Sequence, residues 1–388
     1  MRDFVSKIAA EIPPSGIRRF FDLVLTMDND QVISLGVGEP DFDTPWNVSK
    51  AAITSIEKGM TMYTSNRGLP DLCSVLSKDL EKRYHTKYSP TDEIIVTTGV
   101  SEAFDVAVRA VVNPGDEVIV VDPCFVSYQP EVLMAGGRPV SLPCEAKDQF
   151  KVTPDALMEK ITPATKTLII NFPNNPTGGV MEKADLKAIS DIIIDHDLLL
   201  ISDEVYSELT YDGSHVSAAS IDGLWDRTIT LNGFSKAYAM TGWRLGYLCA
   251  PKKICDAALK IHQYVMMSAP TASQYAAIEA LKNAEEAKNE MVAEYRIRRN
   301  LFVKGLNDIG LPCHLPKGAF YAFPSIEGTG LSDEDFAERL LKEQQVAVVP
   351  GSAFGETGVG HIRTCYAVDR AKLTEAVRRI GVFVDSLK

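Results

Sequence analysis

Between residues 93 and 250 the chain repeats one pattern: a short β-branched or apolar run, a turn, then an amphipathic stretch. The runs are EIIVTT (93–98), EVIVVD (117–122), KTLIIN (166–171), LLLIS (198–202), RTITLN (227–232) and RLGYLCA (244–250). Helical patterns occupy 101–112, the stretch up to Ala135-Gly136-Gly137, and 183–196. Strands that are apolar throughout are buried on both faces, and their alternation with helices predicts a largely parallel sheet sandwiched by helices. An α/β fold of this kind binds its ligand beyond the carboxyl ends of the strands.

The remainder of the chain changes character. Residues 274–311, rich in Ala, Glu and Lys, predict one or two long helices. Beyond them lie GAFYAFPSI (318–326), a helix opened by Ser332-x-x-Asp335, VAVVPG (346–351), HIRTCYA (361–367) and an amphipathic helix from Arg370, which together read as a smaller α+β domain. The first forty residues cannot form a domain alone. The expected division is a large domain over 45–285 and a small one from 1–44 and 286–388, as the 388-residue length allows.

Composition removes several classes of function. Forty basic against 52 acidic side chains, without a basic run, argue against nucleic acid or an anionic membrane as partner. No eighteen-residue apolar span and no signal-peptide pattern is present, so the expectation is a soluble, cytoplasmic protein. Seven cysteines at irregular spacing, with no C-x-x-C pair, and six scattered histidines predict neither a disulfide framework nor a metal site.

The residues just past each strand are therefore the informative ones. Gly99-Val100-Ser101 opens a helix, Phe125 comes after the second run, and Asn174-Asn175-Pro176-Thr177-Gly178 after the third. Asp203 with Tyr206 comes after the fourth, and Gly233-Phe234-Ser235-Lys236 after the fifth, with Arg244 eight positions on. An anion site, an aromatic plate, an amide, an acid with a phenol, and an amine thus share one rim. A phosphorylated pyridine aldehyde needs this set. Singly, each has a plainer reading: an exposed lysine, an Asp helix cap, an Asn turn residue, a core Phe.

Taken together, Gly233-Phe234-Ser235-Lys236 with Arg244, Asn175-Pro176-Thr177-Gly178 and Asp203-x-x-Tyr206 resemble the pyridoxal-phosphate aminotransferases of fold type I, class I/II. The resemblance implies that Lys236 carries pyridoxal 5'-phosphate as a Schiff base and shuttles the substrate proton. It implies that Asp203 pairs with the ring nitrogen, that Tyr206 and Asn175 bond the phenolic oxygen, and that Phe125 stacks on the ring. Gly99, Val100, Ser101, Ser235 and Arg244 would receive the phosphate, where helix N–H groups and a guanidinium suit an anion. Gly233 stands where many relatives place a serine, which predicts somewhat weaker phosphate contacts. Arg363, in an apolar strand, would clamp the substrate carboxylate with the help of the Gly38 N–H; its plainer reading is a structural ion pair. Tyr63 would reach the phosphate of a neighbouring subunit, implying a homodimer.

The implied reaction is a ping-pong transfer of an amino group between an L-amino acid and a 2-oxo acid such as 2-oxoglutarate. Overall likeness favours aromatic or broad-specificity donors. N-acetyl-LL-diaminopimelate and aspartate aminotransferases are alternatives, although dicarboxylate-specific relatives carry a lysine where Ser101 stands. Residues around Ser15, Gly16 and Ile17, and His262-Gln263-Tyr264, are expected to shape the side-chain pocket. A pyridoxal-phosphate C–S β-lyase shares the fold, and a regulator would need a DNA-binding module for which the N-terminal forty residues leave no room.

Overall fold

The apolar runs pair into a seven-stranded sheet in a computed structural model that describes residues 4–14, 16–17 and 31–388. Ser15, expected to border the pocket, lies outside the described residues. In chain order the elements begin with α1 (Lys7–Glu11), β1 (Ile33–Ser34), α2 (Trp46–Glu57) and α3 (Pro70–Tyr84). The alternating part holds β2 (Ile94–Thr97), α4 (Gly99–Val111), β3 (Glu117–Asp122), α5 (Tyr128–Met134), β4 (Arg138–Pro143) and α6 (Pro154–Lys160). It continues through β5 (Thr165–Asn171), α7 (Lys183–Asp195), β6 (Leu199–Asp203), β7 (Thr228–Gly233) and β8 (Gly246–Cys249). Then come α8 (Lys252–Val265), α9 (Thr271–Asn283), α10 (Glu285–Asp308), β9 (Tyr321–Ala322), α11 (Asp333–Gln344), β10 (Val346–Ala347), β11 (Val349–Pro350), β12 (Ile362–Cys365) and α12 (Arg370–Ser386).

The sheet order is β2-β8-β7-β6-β5-β3-β4, and every pair is parallel except those made by β8. The sheet is thus mostly parallel, with helices on both faces. β8 runs backwards because the link from β7 carries no crossover helix, and a parallel return would need one. In consequence Arg244 lies in the turn before β8, with φ 51°, and not in the strand. β4 escapes sequence reading because it is an edge strand containing Pro139 and Pro143, tolerated there since no inner neighbour needs both of its sides. The expected long helical stretch is two helices, broken at Ala284, with Glu285 and Glu286 favourably placed in the first turn of α10.

Around the C-terminal elements, β11-β12-β9 form an antiparallel sheet, and β1 pairs in parallel with β10. Leu35 continues that pairing, donating its N–H to Ala347 and accepting that of Cys365. Residues 33–35 are therefore pinned to the C-terminal elements, in a buried cluster that also contains Tyr206, Tyr295, Phe320 and Tyr366. No helix among the described residues is long and apolar enough to cross a membrane.

One glycine sets the seat of α4. A Cβ on Gly246 would lie 2.6 Å from both the Gly99 carbonyl carbon and the Val100 nitrogen, so only glycine lets β8 touch the start of the helix. Gly246→Ala should therefore destabilise the protein by about 1–3 kcal/mol; urea unfolding of the two proteins checks this, and equal midpoints would contradict it.

Candidate active site

The carboxyl ends of the parallel strands open onto a cavity of about 270 Å³. Val100, Ser101, Phe125, Asn175, Asp203 and Tyr206 line it, and so do Ser235, Lys236, Arg244, Arg363, Gly38 and Ile17. Amine, acid and both guanidinium groups thus converge on one space. Gly99 lies directly behind: a Cβ there would meet Arg244 Nη2 at 2.5 Å. Tyr63 does not line its own chain's cavity and is 82% exposed.

Lys236 Nζ donates to the Gly38 carbonyl at 2.7 Å, so in this chain it is the Gly38 oxygen that faces the site's amine. Burial is the main cause that brings the Lys236 ammonium down to about 8, with Arg363 and Arg244 adding to it and Cys365 and Glu39 opposing. A lysine so shifted offers a neutral, nucleophilic amine near physiological pH.

Asp203 ends β6. Its Oδ2 accepts from the Tyr128 hydroxyl at 2.7 Å and its Oδ1 from the Val205 N–H at 3.1 Å. No helix starts there, so the cap reading gives way to a short turn. Burial pushes the carboxyl up to about 6 against the pull of both hydrogen bonds. A cationic ring nitrogen beside it would reverse that shift. Asn171 ends β5 in register with Asp203, gives its Nδ2 to the Asp203 carbonyl at 2.9 Å, and accepts the Asn175 N–H at 3.0 Å. The Tyr206 hydroxyl meets that of Tyr321 at 2.7 Å, and burial raises its phenol well above the ordinary value.

Arg363 is 2% exposed. It donates to Asn175 Oδ1 at 3.1 Å and to the Gly36 carbonyl, and its guanidinium carbon lies 4.6 Å and 4.8 Å from the Tyr321 and Phe354 ring centres. Its Nε has no partner among the described residues, and no carboxylate pairs with it there. Among the described residues there is thus no structural ion pair at Arg363. A buried guanidinium without a counter-ion is costly to the fold and well suited to an incoming carboxylate.

At the other end, Val100 and Ser101 line the cavity from the first turn of α4, whose N–H groups a helix leaves without internal partners. Arg244, steadied by a bond from Nη1 to the Thr241 carbonyl at 2.9 Å, lies across Gly99 beside them. Gly233 has a packing role here: a Cβ would press on Val100 Cγ2 at 2.9 Å and on the Leu245 carbonyl at 3.0 Å.

Tyr128, Asn171 and Tyr321 were not singled out from the sequence. Tyr128 stands three residues after Phe125, at the start of α5, and the two rings meet edge to face at 5.8 Å. Asn171 occupies on β5 the position that Asp203 occupies on β6, a signal that was available. Tyr321 carried none, because its side of the strand is decided by pairing with Cys365. Conversely, His262, Gln263 and Tyr264 do not line the cavity of their own chain; Tyr264 is 93% exposed and His262 is buried against Glu102.

The buried amine, the acid, the helix start and the aromatic walls fit pyridoxal 5'-phosphate. The sequence matches the family model of aminotransferases class I and II over residues 30–380. It is 51% identical over 384 residues to the putative aminotransferase YugH of Bacillus subtilis, covering 99% of each chain. It is 46% identical to an aspartate aminotransferase of Pyrococcus abyssi, covering 95% of each. Among solved structures, the aromatic aminotransferase of Pyrococcus horikoshii superposes with a TM-score of 0.90 at 45% identity, covering 95% of this chain and 99% of that one. The chain belongs to the class I and II aminotransferases. It is an enzyme of fold type I that depends on pyridoxal phosphate.

Because the neutral amine is the reactive form, capture of a small aldehyde by Lys236 in the apoenzyme should rise as pH approaches about 8 and level off above it. Reductive trapping followed by peptide mass spectrometry measures this; a rise continuing past about 10, the ordinary lysine range, would contradict it.

Proposed function

We propose that this aminotransferase takes its amino group from aromatic or a broad range of L-amino acids and passes it to a 2-oxo acid such as 2-oxoglutarate. The observation that carries the preference is the cation inventory. Among the described residues, Lys236, Arg244 and Arg363 are the cations lining the cavity, and each has a task, so none of these three is left for a donor's second carboxylate. Phe104, Phe125 and Tyr128 add apolar and aromatic wall. N-acetyl-LL-diaminopimelate and aspartate remain alternative donors, and C–S bond cleavage an alternative reaction.

In this reading the bound cofactor supplies an electron sink for the carbanion at the substrate Cα. Arg363 holds the substrate carboxylate, with Gly38 and Ile17 bordering the same end. Lys236 Nζ, freed from the Gly38 carbonyl, takes the Cα proton and later returns it. Asp203, held by Tyr128, keeps a proton on the ring nitrogen, while Tyr206 and Asn175 meet the phenolic oxygen and Phe125 covers the ring. The Val100 and Ser101 N–H groups, the Ser101 and Ser235 hydroxyls and Arg244, placed by Gly99, bind the phosphate. The units 45–285 and 1–44 with 286–388 would flank this cleft.

We further propose a homodimer in the cytoplasm. Met62, Tyr63, Tyr264 and Met267 expose apolar surface, and they belong to one patch because Thr271 bonds the Met62 carbonyl and Asn66 the Met267 carbonyl. Tyr63 from this patch would reach the phosphate at the neighbouring site, beside Ser101 and Arg244, which are exposed in the single chain. The free cysteines, all but Cys313 buried, suit a reducing compartment.

Lys236→Ala should abolish both the visible absorbance of the Schiff base between lysine and cofactor and turnover; retention of both would defeat the assignment. In a donor panel with 2-oxoglutarate, ranked by kcat/KM, aromatic amino acids should lead; best activity on aspartate would overturn the preference, and pyruvate and ammonia released without an acceptor would favour the lyase. Mixed dimers of Tyr63→Phe and Lys236→Ala chains should hold one site with both Lys236 and a partner-supplied Tyr63, and so exceed either parent in activity; sedimentation as a monomer would end the shared-site reading.

A further inference from the structure

Glu102 and His262 form a buried pair behind the anion-binding end of α4. They are 8% and 0% exposed, and His262 Nδ1 lies 2.6 Å from Glu102 Oε1. The other carboxylate oxygen accepts the N–H of Thr98, the residue before α4. Thr98 makes no cap bond with its own hydroxyl, which has no partner among the described residues. Glu102 thus satisfies a backbone donor at the helix start from within the helix.

The turn it holds is sharp. Thr98 has φ −78° and ψ 69°, Gly99 has φ 79°, and the Thr97 hydroxyl donates to the Gly99 carbonyl at 3.0 Å. These dihedrals decide where the Val100 and Ser101 N–H groups point. Gly246 supports the turn from behind and Arg244 crosses it in front. Glu102 fixes it from inside, and Glu102 is itself fixed from α8, a different helix, through His262.

We propose that His262, acting through Glu102, is a positioning residue for the cofactor's phosphate, holding the Thr98-Gly99 turn so that the Val100 and Ser101 N–H groups converge with Arg244. The inference rests on the pyridoxal-phosphate reading of this site. Neither side chain touches the cofactor. A pair serving stability alone would also be buried, so the test separates the two roles by ligand. Pyridoxal carries the same aldehyde and ring as pyridoxal 5'-phosphate but no phosphate. Dissociation constants of both are measured on the full-length apoenzyme and on Glu102→Gln, His262→Phe, His262→Asn and the Glu102→Gln/His262→Phe double variant.

Glu102→Gln and His262→Phe should each weaken pyridoxal 5'-phosphate binding about tenfold and leave pyridoxal binding unchanged, as loss of one charge-assisted hydrogen bond in the chain would do. The double variant should be no worse than the weaker single one, because both break one linkage. His262→Asn, whose amide can donate near the Nδ1 position, should recover most of the loss. Equal losses for the two ligands, or none, would overturn the proposal. Glu102→Gln keeps the side-chain volume and decides the matter alone if His262→Phe does not fold. A wild-type protein that binds neither ligand would instead defeat the pyridoxal-phosphate reading itself.

Discussion

Everything in the site depends on the parallel pairing of β5, β6 and β7. In-register pairing of Asn171 with Asp203 brings the ends of β5 and β6 level, and pairing of Asp203 with Leu231 sets the end of β7, at Gly233, two residues beyond them. The residues just past each strand must then emerge at one rim. Asn175, Tyr206 and Lys236, which stand three to four residues beyond their strand ends, become neighbours although the first and last are 61 positions apart in the chain. A slip of one residue would turn Asp203 to the other face of the sheet. The buried apolar runs of the neighbouring strands resist such a slip.

The electrostatics of the cavity stem from this arrangement. Among the described residues two guanidinium groups and a lysine share the cavity with two acids, Asp203 and Glu131; burial brings the lysine down to about 8 and pushes the acids up to about 6 and about 8. In the ligand-free protein each group is thereby closer to neutrality than it would be in water. A dianionic phosphate at one end, a carboxylate at the other and a ring cation between them would restore the charged forms. The ligand's charges complement those the fold holds at a disadvantage, and Arg363, with no carboxylate partner among the described residues, is the extreme instance.

Parts of the site come from outside the parallel sheet. Gly36 and Gly38 lie just past β1, which is anchored by β10, while Tyr321 and Arg363 sit on paired strands of the C-terminal sheet. Tyr321 touches Tyr206, Gly38 and Arg363 at once, so one phenol ties the C-terminal elements to the strand-end turns. The cavity is a joint product of two separately packed clusters of buried side chains.

Much of the fold and the rim was legible in the sequence, for physical reasons that can be named. The apolar runs and their turn residues announced the strands of the sheet, because a strand buried on both faces leaves an unbroken apolar trace. The polar residues just past those runs announced the rim. β4 was hidden by its two prolines, and the reversed direction of β8 by a connection whose length alone does not state its course. The chain order of residues thus determined which elements form and which side chains stand at their ends. Only tertiary packing decided that Tyr128 would grip Asp203, that Arg363 would be buried against Asn175, and that His262 would reach Glu102 across 160 residues. Those contacts join elements far apart along the chain, and their geometry exists only once strand register and helix packing have set it.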